Sequence, residues 1–193
     1  MTGIVELLAA RRGHFALESG HHGDLWLDLE SLFLRPSRVA GFAAELARRL
    51  APAGVEAVCG PLVGGALLAQ AVAARLDAEF LYAEPLAPAA GAGLYAVRYR
   101  VPAAVRARAA GRAFAIVDDV VNAGSATRAT YAGLRDAGAR PVAIATLLTL
   151  GAAVPTFARE HGLRLESLEA LPNTLWEPAA CPLCAAGVPL EAV

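Results

Sequence analysis

Phe114-Ala-Ile-Val-Asp-Asp-Val-Val-Asn-Ala-Gly-Ser-Ala-Thr127 is the stretch on which the fold of this chain turns. Its first four residues are apolar, the length and composition of a buried strand. It becomes acidic at Asp118-Asp119 and passes through the small residues Asn122, Ala123, Gly124 and Ser125. It ends where a helix begins, with Ser125 or Thr127 as the expected cap. Thr130, Tyr131, Leu134 and Ala137 form that helix's buried stripe, and Gly138 is placed to stop it. A strand, a small-residue loop and a helix N-terminus together form an anion site, because free N–H groups and the helix dipole converge on one point. Two carboxylates just before the loop do not bind an anion, but they accept hydrogen bonds from hydroxyls or hold a hydrated metal. A phosphate beside hydroxyls describes a sugar phosphate.

Outward from this stretch the chain repeats the same grammar. Residues 55–59 are a short strand running into Gly60-Pro-Leu-Val-Gly-Gly65 and then a helix over 64–76. Residues 80–83, 142–149 and 165–168 read as further strands, and 37–51 and 155–161 as helices, the first capped by Ser37. Residues 2–12 read as a short amphipathic helix ending in Arg11-Arg12, and 14–28 as a hairpin-like excursion with turn signals at Ser19-Gly20 and Gly23-Asp24. Residues 85–93 are too small and too broken by Pro and Gly to pack, and read as a mobile loop. Residues 94–100 alternate Tyr95, Val97 and Tyr99 with Arg98 and Arg100, like an edge strand. Alternating short strands and helices predict an α/β fold, a mostly parallel sheet with helices on both faces. Ligands of such sheets sit beyond the carboxyl ends of the strands. The loops 60–65, 118–125 and 149–152 are therefore expected to converge on one site.

The composition excludes several classes. The 193 residues suit one domain with a full core. The net charge of −1 offers no bulk attraction to nucleic acid or to a membrane surface. No apolar stretch is both uncharged and long enough to cross a membrane, and no signal peptide is apparent, so a cytoplasmic location is expected. All 17 basic residues are Arg, so any mechanism here proceeds without a lysine amine. Cys59, Cys181 and Cys184 do not suggest a disulfide framework. Cys181 and Cys184 form a single CxxC, a weak signal: half a zinc site, or a full one shared with a second chain. His21-His22 reads as an exposed turn rather than a metal pair, since adjacent side chains point apart. Trp26 and Trp176 read as packing residues.

The motif from Val117 to Ala126 resembles the 5-phosphoribosyl-1-pyrophosphate (PRPP) signature of type I phosphoribosyltransferases, two acids and two apolar residues before a Thr-(Ala/Thr)-Gly-(Thr/Gly) loop. Asn122 stands where Thr is usual. Phe15-Ala-Leu-Glu-Ser-Gly20, Gly60-Pro61 with Gly64-Gly65, and Cys181-Pro-Leu-Cys-Ala-Ala-Gly-Val-Pro-Leu190 are similar to motifs of the orotate phosphoribosyltransferase branch. The resemblance covers nearly the whole chain. It implies a single phosphoribosyltransferase-like domain in which 1–35 and the C-terminal tail form a small hood. It implies that Asp118 and Asp119 meet the ribose hydroxyls, directly or through Mg²⁺. Val120, Val121, Asn122, Ala123, Gly124, Ser125 and Ala126 would cradle the 5′-phosphate. Leu62, Val63, Gly64 and Gly65 would approach the pyrophosphate, in a loop where this fold often holds a non-proline cis peptide. It further implies a homodimer, with PRPP and a nucleobase, orotate or another, as partners.

Several positions depart from the family's pattern. Glu84-Pro85 follows the third strand where a basic residue is usual, and the loop that normally carries a lysine is uncharged. Thr149-Leu150-Gly151 replaces an Asp-Arg-Gly whose Arg grips the orotate carboxylate. His21-His22 follows Ser-Gly where a basic residue is usual. His22, Arg98 and Arg100 are the candidate replacements for the missing charge. Two readings follow: a PRPP-dependent transferase, or a paralogue that binds PRPP or a nucleotide without turnover.

Overall fold

A computed structural model describes residues 4–17, 19–86 and 97–192. In chain order the elements are α1 (Ile4–Leu7), β1 (Arg11–Ala16), β2 (His22–Trp26), α2 (Glu30–Phe33), α3 (Pro36–Leu50), β3 (Ala57–Pro61), α4 (Gly64–Leu76), β4 (Glu79–Leu86) and β5 (Arg98–Arg100). They continue with α5 (Ala103–Arg106), β6 (Ala113–Val121), α6 (Ser125–Asp136), β7 (Arg140–Leu150), α7 (Ala153–Glu160), β8 (Arg164–Leu171), β9 (Leu175–Trp176), α8 (Pro182–Ala185) and β10 (Glu191–Ala192).

Six strands form the main sheet in the order β5-β4-β3-β6-β7-β8. All neighbours are parallel except the edge strand β5, which runs antiparallel to β4. The central strand β6 shows why helices must cover both faces. Ala115 and Val117 pack with Val39, Leu46, Leu50, Leu68 and Val72 of α3 and α4. Phe114 and Ile116 point the other way, to Leu134 of α6 and to Val154 and Phe157 of α7. Alternate residues of a strand face opposite sides, so a continuous apolar run needs an apolar partner on each. Among the described residues no helix is long and apolar enough to cross a membrane.

A second, four-stranded sheet has the order β10-β1-β2-β9 and draws strands from both ends of the chain. β1 pairs with β2 as the expected hairpin and in parallel with β10, while β2 also pairs with β9.

Three local expectations are corrected. The first helix ends at Leu7; Ala9 has a positive φ of 38°, and Arg11-Arg12 begin β1 rather than ending a helix. There Arg11 lies 5.5 Å from the rings of both Phe15 and Trp26, and Arg12 pairs with Asp24, so these side chains gain more in the hairpin. α3 starts on Pro36 with no side-chain cap, so Ser37 lies inside its first turn; proline's fixed φ starts a helix without needing the N–H. Finally, β6 does not stop before its acids. It continues to Val121, because β7 pairs Thr146 with Asp118, Leu148 with Val120 and Thr149 with Val121. The carboxylates thus sit on a strand rather than in a loop. The loop expected over 85–93 falls mostly outside the described residues; Pro85 and Leu86 end β4.

Candidate active site

The site is built on the end of β6. Asp118 and Asp119 are both buried. Asp118 accepts a hydrogen bond from the Thr127 hydroxyl (3.1 Å) at Oδ2 and lies 3.2 Å from the Asp119 N–H at Oδ1. Asp119 Oδ1 accepts from the Val120 N–H at 2.7 Å, and its carbonyl accepts from the Thr146 hydroxyl at 2.8 Å. Thr127, offered by the sequence as a helix cap, therefore holds a carboxylate instead; Gly124, with φ of 79°, occupies the cap position of α6. A Cβ on Gly124 would lie 2.5 Å from Val154 Cγ2, so this turn needs glycine for both conformation and space. Ser125 opens α6. Its Oγ is buried and has no hydrogen-bond partner among the described residues, and it stands at a helix N-terminus, which favours an anion.

The loop after β3 closes over the acids. The Leu62–Val63 peptide is cis. A Cβ on Gly64 would lie 2.0 Å from Asp119 Oδ2, and one on Gly65 2.6 Å from Asp118 Oδ1. The first turn of α4 thus touches both carboxylates, and only residues without side chains allow it. On the far side of this loop the Tyr99 hydroxyl donates to the Leu62 carbonyl at 3.4 Å.

The third loop completes the convergence. Asn122, Leu150, Gly151, Ala152 and Ala153 share a cavity of about 360 Å³ with His21, Asn173, Leu175 and Glu177. Asn173 Nδ2 donates to Asn122 Oδ1 at 3.0 Å, fixing one wall. The three loops expected to meet do so: 60–65 and 118–125 across the glycine–carboxylate contacts, and 118–125 and 149–152 across this cavity.

The candidate charges are placed differently. Arg98 and Arg100 are exposed, and Arg100 is paired with Glu84 (2.8 Å), while Tyr99 between them turns inward. His21 and His22 are both buried, not an exposed turn. His21, within reach of the Ser19 hydroxyl (3.1 Å), is the one that faces the cavity. His22 points away to His14 and Cys184. Arg128 lies one turn into α6, donates to the Ala153 carbonyl (3.1 Å) and stacks 4.7 Å over Phe157. It sets a cation beside the loop 122–125, and its i+4 spacing from Gly124 was the available signal. Cys59 is enclosed in β3, where burial pushes its thiol up to about 12 and leaves it unreactive.

A family model described as the phosphoribosyl transferase domain matches residues 34–161, which contain both glycine loops and the acidic pair. This chain belongs to that family. The enzyme is 30% identical to the orotate phosphoribosyltransferase of Thermotoga maritima over 188 residues, 95% of this chain and 90% of that relative. Its fold is shared with the orotate phosphoribosyltransferase of Aeropyrum pernix, at a TM-score of 0.63 and 24% identity, covering 84% of this chain and 88% of that one. The adenine phosphoribosyltransferase of Thermoanaerobacter pseudethanolicus matches at the same TM-score, 0.63, with 17% identity and coverage of 86% and 96%. The family model identifies the phosphoribosyltransferase, and the shared fold does not choose its base.

Proposed function

We propose that this phosphoribosyltransferase moves the ribose 5-phosphate of PRPP onto a ring nitrogen of orotate, releasing pyrophosphate. The observation that carries the reading is the contact of Gly64 and Gly65 with Asp119 and Asp118, which joins the pyrophosphate loop to the ribose-binding acids. The near full-length likeness to an orotate phosphoribosyltransferase supports turnover rather than binding alone. In the reaction a nitrogen–C1′ bond forms, and the bond from C1′ to the pyrophosphate oxygen breaks with its electron pair leaving on pyrophosphate. The transition state is cationic at the sugar, so two buried carboxylates beside it are electrostatically suited to its stabilisation.

In this reading Asn122 to Ala126 hold the 5′-phosphate through backbone N–H groups and the Ser125 hydroxyl, and Val120 and Val121 lead into that loop from β6. Asp118 and Asp119 orient the ribose hydroxyls. Leu62, Val63, Gly64 and Gly65 receive the pyrophosphate. The base lies in the cavity of His21, Asn122 and Asn173, whose amides and imidazole match ring carbonyls and N–H groups. Two hard carboxylate oxygens in a glycine-walled cradle fit Mg²⁺, which Asp118 and Asp119 would hold with the substrate's own oxygens. When bound, the ion neutralises charge on the leaving pyrophosphate. The enzyme is further taken to be a cytoplasmic homodimer whose second sheet, with 1–35 and the tail, is a hood over the base.

A second reading of the base has its own observation. Among the described residues the lining of the cavity includes Glu177 and no Arg, and a buried substrate carboxylate without a cation is costly; an uncharged base suits that lining better. One assay decides. Pyrophosphate release and nucleotide formation are followed with Mg²⁺-PRPP and orotate, then with a panel of uncharged bases. Turnover with orotate supports the first reading, and turnover only with an uncharged base the second. Asp118→Asn and Asp119→Asn are each expected to lower the rate by about a hundredfold. Unchanged turnover in both would remove the site assignment.

A further inference from the structure

One cluster lies outside the site described above. His14 of β1, His22 of β2, Cys181 just before α8 and Cys184 within it bring one ligand atom each to within 4.8 Å of one another. The separations are 3.1 Å between His14 Nε2 and His22 Nδ1, 3.4 Å from Cys181 Sγ to His14 Nε2, 3.7 Å from Cys184 Sγ to His14 Nε2, and 3.3 Å from Cys184 Sγ to His22 Nδ1. A tetrahedron with zinc–nitrogen bonds near 2.0 Å and zinc–sulfur bonds near 2.3 Å has edges of about 3.3 Å between nitrogens and about 3.5 Å between nitrogen and sulfur. These four separations are close to those edges, and all four ligand atoms lie within 4.8 Å of one another.

Hydrogen bonding alone accounts for it less well. His14 Nδ1 lies 2.9 Å from the Val188 carbonyl, so Nδ1 carries the proton and donates it there. Nε2 is then a bare acceptor with one lone pair, yet three polar atoms crowd it. A single ion at the centre uses that lone pair, the one on His22 and both sulfurs at once. The Val188 carbonyl is the kind of partner that orients a metal-bound imidazole. His14, His22 and Cys181 are buried, and Cys184 is exposed and offers a way in. Two nitrogens and two thiolates in a closed tetrahedral set select zinc.

We propose that His14, His22, Cys181 and Cys184 of one chain form a structural zinc site. The ion fastens the tail to the β1–β2 hairpin, across a sequence separation of 167 from His14 to Cys181. The same hairpin presents His21 to the base cavity, so the site steadies that wall without touching substrate.

The test is metal analysis of the full chain purified without chelator. About one zinc per chain is expected, and cobalt exchange should give the visible absorption of tetrahedral cobalt–thiolate. Cys184→Ser, a change at the exposed ligand that leaves the buried three in place, should weaken zinc binding by at least about tenfold in competition with a chromogenic chelator. Cys59→Ala is the control and should keep one zinc per chain. The proposal is overturned if the protein carries no zinc and the reduced, metal-free chain binds none on titration. A Cys184→Ser variant that binds as tightly as the parent also overturns it. Half an ion per chain would mean a site between two chains and overturns the assignment to one. These readouts are independent of turnover, so they stand or fall apart from the choice of base.

Discussion

Gly64→Ala tests the contact that joins the two halves of the active site. The added Cβ would lie 2.0 Å from Asp119 Oδ2, 3.0 Å from its Cγ and 3.2 Å from Phe33 Cε2. To reach ordinary contact near 3.4 Å the carboxylate oxygen must retreat by about 1.4 Å. That movement strains the 2.7 Å bond from the Val120 N–H to Asp119 Oδ1. A side-chain end can swing, so the stability loss stays within the usual range for overpacking, about 1–3 kcal/mol. The effect on turnover is larger in proportion, because a misplacement of about 1 Å in a positioned group costs on the order of a hundredfold. Gly41→Ala is the matching control. Gly41 lies in α3, and a Cβ there meets nothing within 4 Å. The same methyl should there stabilise the protein by about 0.5–1 kcal/mol, through helix propensity and a less flexible unfolded chain. Urea denaturation and initial rates of pyrophosphate release measure both. If Gly64→Ala keeps both parental stability and parental rate, Asp119 is not held against α4 and the joined site is wrong.

Two further outcomes are expected. Thr127→Val removes the hydroxyl that donates to Asp118 Oδ2 (3.1 Å) while keeping the shape; loss of a buried bond to a charged group should lower stability by about 1.5–3 kcal/mol in denaturant titration, with Thr127→Ser restoring most of it. Glu79 is hydrogen-bonded by Arg108 and then Arg112, which hold its carboxyl down at about 2 from its ordinary 4.5. A depressed carboxylate stabilises the fold above its unfolded value and loses that contribution as pH falls through the folded one. Glu79→Gln should therefore melt below the parent at neutral pH, and the gap should close between about pH 4.5 and pH 2; a gap independent of pH would refute the assignment.

Much of the enzyme was legible because its chemistry is contiguous. In β6 and the start of α6, strand, acids, small-residue loop and helix follow one another within 14 residues, and local propensity alone sets their order. The second glycine loop could be read for the same reason, and α4 begins and ends where the pattern put it. The boundaries that failed were those decided by partners. β6 reaches past its acids because β7 supplies a ladder to Val121. Ser37 is not a cap because Pro36 already starts the helix. For His21-His22, adjacency told that the two rings point apart, but the pair read as an exposed turn, and both are buried. That was set by the pairing of β2 with β9 on one edge and β1 on the other.

By itself, then, the sequence determined an α/β sheet, its small-residue loop and its acidic pair, since period, glycine and charge act over a few neighbouring residues. The tertiary structure alone decided what distant segments share. It set Gly64 against Asp119, Asn173 against Asn122, and two histidines of the first hairpin beside two cysteines of the tail. The physical reason is chain closure. A single CxxC carries two cysteines, and only the packing of the tail against β1 and β2 brings two histidines to within 4.8 Å of them.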